Sequence, residues 1–259
     1  YDIGNNAAAR ATFVKSVTDF IKTYDFFDGV DIDWEFPGGG GANDKLGSPQ
    51  DGDGFVSLMK ELRASLDALS KQTGRKYQLT AAVSGGVEKL SKINWEAAHP
   101  YLDYINLMTY DYYGAWNGTL GHMAGSYANA NSPIVGFSAE EAVKYILARQ
   151  VPASKVTIGA AMYGRGWKTV SNVKNGNPFT GSGGEGIAGS WEKGIEDYKK
   201  IEATMMGGAS GTGANGFTLY WDDQAKASYV YNPSTTTLVS FDTPRSVKAK
   251  GDLIRKYGL

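Results

Sequence analysis

The sequence of 259 residues contains no cysteine and only two histidines, and these shortages remove several classes of chemistry. Disulfide bonds and thiolate metal sites are excluded. His99 and His122 are too isolated to suggest a metal pair or a triad base, so we predict no metal. No apolar stretch approaches the roughly 18 residues of a membrane-spanning helix. Because the net charge is −1, we predict neither nucleic acid nor a membrane as a partner.

The most informative segment is the acidic run at residues 27–37, FDGVDIDWEFP. Asp31, Asp33 and Glu35 recur at every second position, which is the period of a β-strand. These carboxylates therefore share one face, with about 6–7 Å between the Cα atoms of neighbouring acids. The other face of the strand is apolar and carries Val30, Ile32, Trp34 and Phe36.

Three like charges at this spacing repel each other, so stability alone does not explain them. The usual consequence is a raised pKa for one member, and we expect Glu35 to be kept protonated as a general acid. The alternative is a solvated edge strand whose acids simply face water. It fits less well, because the opposite face carries Trp34 and Phe36 and the flanks of the run are apolar.

The same run resembles the DxxDxDxE signature of family 18 glycoside hydrolases, the chitinase family. Its four acids correspond to Asp28, Asp31, Asp33 and Glu35, and the continuation WEFP is similar to the bacterial chitinase A type. The resemblance implies that this strand is the fourth of a TIM (β/α)8 barrel and that Glu35 is the proton donor.

The rest of the chain predicts an α/β fold of the barrel family. Helices are expected at residues 8–24, 55–69, 138–150 and 246–257, and further strands at 78–84, 104–110 and 156–163. Ser138 and Glu141 form a capping-box pattern at the start of the third helix. Strands that alternate with helices indicate βαβ units and a parallel sheet. The segment DGDG at 51–54 lacks the later Glu of a calcium loop and predicts a helix entry.

Domain organisation follows from a change of composition. Residues 1–163 are predicted to be the barrel portion, and 242–259 the return helix of the barrel. Residues 164–241 are rich in Gly, Ser and Thr, which indicates a small antiparallel α+β insertion domain of the kind that the resemblance implies. Only about strands four to seven of the barrel are evident, whereas a closed barrel needs eight. We therefore expect a partial barrel, completed by complementary strands from a longer parent chain, since open sheet edges are an aggregation hazard.

Further site candidates lie at predicted strand ends, where barrel enzymes place their chemistry. The segment MTYDYYG resembles the family motif MxYDxxG, and MYGRGW matches another family segment. An alternative for the first segment is a tyrosine-rich core strand. For Arg165, contact with sugar hydroxyls and pairing with an acid are equally open. The predicted substrate-binding residues are Met108, Tyr163, Arg165, Trp116, Trp191, Glu192, Phe36 and Ala82.

The resemblance implies a substrate-assisted mechanism, which is an exception among retaining glycosidases. Glu35 would protonate the glycosidic oxygen while the substrate's own 2-acetamido oxygen attacks C1. Asp33 would orient the acetamido N–H and stabilise the cation, and it would couple the charge of Asp31 to that of Glu35. Tyr110 would bind the acetamido carbonyl, and Asp111 would hold the distorted sugar ring. No cofactor is required.

Chitin or chito-oligosaccharides are the expected substrate, and secretion is the expected localisation, with any signal peptide already absent from a chain that begins Tyr-Asp-Ile. Two other classes remain open. An endo-β-N-acetylglucosaminidase acting on N-glycans would share the acids and the chemistry. A non-catalytic chitin-binding fragment is the other, although binding relatives typically lack the terminal acid, and Glu35 is present.

Overall fold

The computed structural model describes residues 1–43, 45–116 and 118–259. The chain forms two compact units. The first comprises Tyr1–Met108, Val143–Thr157 and Gly258–Leu259, and the second comprises Thr109–Ala142 and Ile158–Tyr257.

The helices are α1 (Asp2–Asn5), α2 (Ala7–Thr23), α3 (Asp51–Thr73), α4 (Val87–Leu90), α5 (Trp95–Ala98), α6 (Ala139–Leu147), α7 (Tyr198–Ile201) and α8 (Pro244–Tyr257). Short 3₁₀ turns span His99–Tyr101, Ala153–Lys155 and Pro178–Thr180, and a π-helical turn spans Glu202–Met206. The strands are β1 (Gly29–Asp33), β2 (Gln78–Ser84), β3 (Tyr104–Met108), β4 (Val156–Ile158), β5 (Tyr163–Trp167), β6 (Ile195–Asp197), β7 (Thr218–Asp222), β8 (Ala227–Asn232) and β9 (Thr237–Phe241).

A four-stranded sheet in the order β1-β2-β3-β4 is the frame of the first unit. β1 pairs in parallel with β2, and β2 in parallel with β3. Strand β1 lies at one end of this order, so one of its edges has no strand beside it in the described residues. Within the residues that the structure describes, the strands form no closed barrel, in agreement with the predicted partial barrel.

The core of the first unit lies between α3 and the sheet. The apolar stripe predicted for this helix is buried, from Phe55 through Leu62 to Leu69. It contacts β2, whose Leu79 and Val83 are also buried. Apolar residues recur about every 3.6 residues on the helix and at every second residue on the strand. Each element therefore has one apolar face, and these two faces pack together.

The second unit is built around an antiparallel sheet in the order β6-β5-β9-β8-β7. Its core includes fully buried Trp167, Val230 and Leu238. The predicted antiparallel character of this region is therefore observed. Helix α8 follows β9, and its Lys250 forms a buried ion pair with Asp242 at 2.6 Å.

Sequence periodicity predicted where helices and strands lie more accurately than it predicted the residues at which they begin and end. Strand β2 begins and ends as predicted. In the predicted capping box, Glu141 N donates to Ser138 Oγ at 3.4 Å, and the Ser138 hydroxyl also donates to Glu141 Oε2 at 2.8 Å. The strand predicted at 156–163 was wrong in extent, because β4 ends at Ile158 and Tyr163 begins β5 of the other sheet. The physical reason is long-range pairing: Gly164 lies opposite Phe241, a partner that local periodicity cannot reveal.

The two compact units do not coincide with the predicted boundaries at residues 163 and 241, since residues 109–142 lie in the second unit. The predicted domains thus remain a proposal about the larger protein. No helix in the described ranges is long and apolar enough to cross a membrane.

Candidate active site

Strand β1 places Asp31 and Asp33 on one exposed face, while Ile32 between them is buried. The strand ends at Asp33, earlier than predicted, so Glu35 follows two residues beyond it in an exposed position. In the parallel register, Asp31 lies opposite Thr80 and Asp33 opposite Ala82. The solvent exposure and edge position match the alternative that the sequence reasoning ranked lower.

The acids are nevertheless part of an organised polar network. The Thr80 hydroxyl donates to Asp31 Oδ1, and Asn106 Nδ2 donates to the same oxygen at 3.3 Å. Asn106 in turn accepts a hydrogen bond of 2.8 Å from the hydroxyl of Thr157. The network therefore joins side chains from all four strands of the sheet, which an unstructured solvated edge would not do.

Asp33 has a perturbed pKa. Partial desolvation, followed by the negative charge of Asp31, raises the pKa of Asp33 above its ordinary value. Like-charge repulsion between strand neighbours was the predicted effect, and it acts here on Asp33. The elevation expected for Glu35 stays a prediction.

Small side chains adjoin the acids on β2, where Ala82, a predicted substrate-binding residue, is half-buried opposite Asp33. Farther across the sheet, Met108 at the end of β3 lies opposite Ser84. Phe36 is half-buried directly after Glu35. The first unit thus groups these predicted residues around one end of the parallel sheet.

The raised pKa of Asp33 predicts a pH effect on stability. Because the folded state binds this proton more tightly than the unfolded state, ionising Asp33 costs folding free energy as the pH rises past about 4. Asp33→Asn is therefore expected to gain stability relative to the wild type between pH 3 and pH 7. Urea unfolding midpoints at both pH values measure this, with exposed Asp53→Asn as the matched control. A difference between variant and wild type that does not change with pH would contradict the assignment.

In the second unit, Asp111 is the centre of a charged cluster. Its carboxylate accepts both Arg165 Nε at 2.8 Å and Nη2 at 2.9 Å, and it accepts the Tyr163 hydroxyl at 2.7 Å. Asp111 adopts a left-handed backbone conformation with φ of 57°. Of the two alternatives for Arg165, the structure shows pairing with an acid, in the bidentate geometry that favours arginine over lysine.

Electrostatics in this cluster favour the ion pair. Desolvation and then the charge of Asp111 raise the pKa of Tyr163 far above its ordinary value, so this phenol remains a donor. Desolvation lowers the pKa of Arg165, but its hydrogen bond and attraction to Asp111 outweigh that and leave it raised. Tyr110 packs edge-on against Tyr163, with 6.3 Å between the ring centroids.

A cavity of about 520 Å³ adjoins Arg165 in the same unit. Trp116 is 57% exposed on its wall, and the Arg165 guanidinium lies 4.9 Å from the centroid of its ring. Glu192 approaches Arg165 at 3.8 Å. Trp191 is 82% exposed and donates from Nε1 to the Asp197 carboxylate at 3.1 Å. Of the predicted residues of this unit, Trp116, Arg165 and Glu192 therefore line one cavity.

Sequence reasoning missed several polar residues of both groups. Asn106 shares the period-two face of β3 with Met108, and this spacing could have revealed it. Glu185 and Lys193 line the cavity and pair at 3.1 Å, but they lie in a loop without periodicity and gave no signal. The described residues hold no group of three His, Cys, Asp or Glu side chains suited to a metal ion.

Comparison with known proteins identifies relatives along the whole chain. A family model described as glycosyl hydrolases family 18 matches residues 1–259. Chitinase A of Pseudoalteromonas piscicida is 44% identical over 98% of this chain, which covers 34% of that protein. A probable endochitinase of Orgyia pseudotsugata multicapsid polyhedrosis virus is 41% identical over 98% of this chain, which covers 45% of it.

Among solved structures, chitinase ChiA74 from Bacillus thuringiensis superposes with a TM-score of 0.87 at 31% identity. The match covers 100% of this chain and 42% of that one. The chain therefore spans less than half the length of these three relatives.

Proposed function

Because the chain belongs to family 18 of the glycosyl hydrolases, we propose that it is the acid-bearing part of a chitinase that hydrolyses β-1,4-linked N-acetylglucosamine polymers. The observation that carries the proposal is the row of acids at the end of β1. Asp31 is held by Thr80 and Asn106, and its charge contributes to the raised pKa of Asp33. Glu35 follows immediately.

In the proposed mechanism, Glu35 donates its proton to the glycosidic oxygen, and the substrate's 2-acetamido oxygen attacks C1 to give an oxazolinium ion. Water then opens this ion with net retention at C1. A raised pKa suits Asp33 for this reaction, because the side chain can share a proton with Asp31 and, once that proton has passed to Asp31, can accept the acetamido N–H as a carboxylate while positive charge develops. Asp31, fixed by its two donors, keeps that proton affinity high.

Roles in the second unit are proposed separately. Both carboxylate oxygens of Asp111 already accept protein donors, but a carboxylate has about four acceptor sites and can accept a sugar hydroxyl as well. The Tyr163 phenol and the Arg165 guanidinium hold that carboxylate in place. Tyr110 is proposed to bind the acetamido carbonyl of the substrate.

The groove beside Arg165 is proposed to hold sugar units of the chain being cut. Sugar rings present apolar C–H faces that pack on aromatic rings, and Trp116 offers an exposed ring of this kind on the wall of the groove. Trp191, which precedes Glu192 in the sequence, is proposed to offer a second exposed ring. Glu192 supplies a hydrogen-bond acceptor on the wall of the cavity.

Removing one of these rings is expected to weaken substrate binding. Trp116→Ala should raise KM for chitopentaose about tenfold, since losing a stacked aromatic contact costs roughly 1–2 kcal/mol. The change in kcat should be small, because the ring binds ground state and transition state alike. Trp221→Ala is the control, because Trp221 does not line this cavity. Equal KM values for the two variants would show that Trp116 does not contact the sugar chain.

The experiment that tests the proposed function compares chitopentaose with cellopentaose, which differs in the 2-substituent of each sugar. Hydrolysis of the first but not the second is expected, because only an acetamido group can attack C1. Cleavage of an N-glycan chitobiose core with intact chitopentaose would instead support the endo-β-N-acetylglucosaminidase. Saturable chitopentaose binding without cleavage would support a non-catalytic fragment.

Complementary barrel strands are proposed as a further partner of the first unit. Among the described residues, no strand pairs with one edge of β1, and an apolar groove of about 420 Å³ lies beside the strand. Phe20 and Phe27 line this groove and are 50% and 40% exposed, and Phe26 nearby is 73% exposed. Apolar surface next to an unpaired strand edge is suited to an added β-strand with its helix.

Secretion is part of the proposal, since chitin is an insoluble polymer that an enzyme must meet outside the cell. The resemblance to the bacterial chitinase A type does not select a source, because the relatives include a viral protein alongside the bacterial one.

A further inference from the structure

A buried carboxylate lies next to the segment that follows the acids of β1. Asp51 is the first residue of α3 and is completely inaccessible to solvent. Its Oδ2 accepts the backbone N–H groups of Gly38 and Ser48, each at 2.9 Å. Its Oδ1 accepts the Ser48 hydroxyl at 2.9 Å and Asn5 Nδ2 at 2.6 Å. Four donors from three separate segments therefore converge on one side chain.

The hydrogen bonds keep this buried group ionised. Desolvation raises the pKa of Asp51, but the bonds from Asn5, Ser48 and Gly38 together outweigh it and leave the pKa lowered. The N-terminal end of α3 also favours a negative charge. A carboxylate fixed in this way is a rigid anchor, because both oxygens are fully engaged.

Asp51 does not serve its own helix. Position 51 is the first helical residue, and the preceding Gln50 makes no side-chain capping bond. The carboxylate instead holds the loop that connects β1 to α3, at both its beginning and its end. The sequence reading of DGDG as a helix entry was right about position but missed this contact.

The anchored loop begins three residues after Glu35, at Gly38. Gly38 has a φ of +85°, which side-chain-bearing residues rarely adopt. Gly39 N donates to the Phe36 carbonyl at 2.9 Å, which closes a turn directly after Glu35. A Cβ on Gly41 would lie 2.1 Å from the Glu35 carbonyl oxygen, so the returning loop packs against the backbone of the acid itself.

We infer that Asp51 is a positioning residue, which fixes the backbone of Glu35 by clamping the loop that packs on it. The inference rests on the proposed function, in which Glu35 is the proton donor. A general acid must be held within hydrogen-bond reach of the leaving oxygen, and a displacement of about 1 Å can cost a factor of roughly 100 in rate. Strand β1 ends at Asp33, so the Glu35 backbone lies beyond the strand that carries the other acids.

The first test needs no catalytic turnover. In Asp51→Asn, an NH₂ group replaces one carboxylate oxygen. This group is a donor and cannot accept the hydrogen bonds that the oxygen accepted. Amide hydrogen exchange at Gly38 and Ser48 should accelerate by about tenfold or more, since hydrogen bonds to charged groups are the stronger ones. Leu79 in β2 should exchange at its wild-type rate. The ¹³C titration curve of the Glu35 carboxyl should also shift.

Asp53→Asn is the matched control, because Asp53 lies in the same first turn of α3 but is exposed. It removes the same charge without touching the loop, so exchange at Gly38 and titration of Glu35 should both be unchanged. If Asp51→Asn does not fold, Ser48→Ala removes one of the four donors and should produce a smaller change in the same direction.

The second test uses leaving-group dependence, which a loss of folded protein cannot mimic. Aryl glycosides with a good leaving group need little help from a general acid. In Asp51→Asn, kcat should fall about 30-fold on chitopentaose but less than about threefold on a dinitrophenyl chitobioside, with KM nearly constant.

Unchanged exchange at Gly38 together with an unchanged Glu35 titration curve would overturn the inference, as would equal losses on the two substrates. Separate results would contradict the proposed function: full activity of a Glu35→Gln variant, or failure to hydrolyse chitopentaose in preference to cellopentaose. A chain that is inactive on both sugars still yields the exchange and titration results.

Discussion

Glu35→Gln is expected to lower kcat for chitopentaose hydrolysis by roughly 10²–10⁴-fold, the range that general acid catalysis contributes. Gln has the same shape as Glu but cannot give its proton to the glycosidic oxygen. KM should change little, because the groove that binds the sugar chain remains. Initial rates of product release, measured by chromatography, provide both constants.

The control for this variant is Glu96→Gln, which makes the same chemical change at an exposed position in α5 of the same unit. It should retain wild-type kcat and KM. A Glu35→Gln variant that kept half of the wild-type kcat on chitopentaose would remove Glu35 as the proton donor.

Asp222→Ala is expected to lower the free energy of unfolding by about 3–5 kcal/mol, as removal of one partner from a buried charged network typically does. Asp222 Oδ2 accepts His122 Nε2 at 2.9 Å and the side-chain amides of Asn129 and Asn131, each at 2.7 Å. His122 is completely buried, so its ring would lose this partner without access to water. Urea unfolding followed by tryptophan fluorescence measures the loss.

The same network predicts how the loss depends on pH. Desolvation raises the pKa of Asp222, but its hydrogen bonds, that of His122 first, outweigh this and depress the pKa strongly. A depressed folded pKa stabilises the fold above the unfolded value of about 4, and this stability is lost as the pH falls below it. The difference between wild type and Asp222→Ala should therefore shrink on acidification from pH 6 to pH 3.

Asp223→Ala is the neighbouring control for this prediction. Asp223 pairs with Lys226 at 2.8 Å on the exposed side of the same segment. Its removal should leave the unfolding midpoint nearly unchanged at every pH. Equal midpoints for the two alanine variants would show that the buried network does not stabilise the unit.

The sequence predicted those parts of the fold and site that depend on local order. The alternation of acids with Ile32 predicted a strand with Asp31 and Asp33 on one face, because strand period is a property of the backbone alone. The apolar stripe of α3 was equally visible, although the helix begins four residues earlier, at Asp51. The apolar periodicity does not extend into the first turn of this helix, where Asp51 contacts the preceding loop.

The parts that could not be predicted depend on pairing between distant segments. The Asn106 contact with Asp31 requires the register of β2 between β1 and β3, which no local pattern contains. Arg165 was open between sugar and acid for the same reason, since its partner Asp111 lies in another segment of the chain. The family was thus predictable from a contiguous motif, and the contact partners were not.

The central claim is that the substrate's own acetamido group attacks C1 while Glu35 donates a proton. The most direct measurement is the anomeric configuration of the first product of chitopentaose hydrolysis, followed by ¹H NMR before mutarotation. Two displacements at C1 predict the β-anomer as the initial product. An initial α-anomer would mean direct attack by water and would contradict the mechanism.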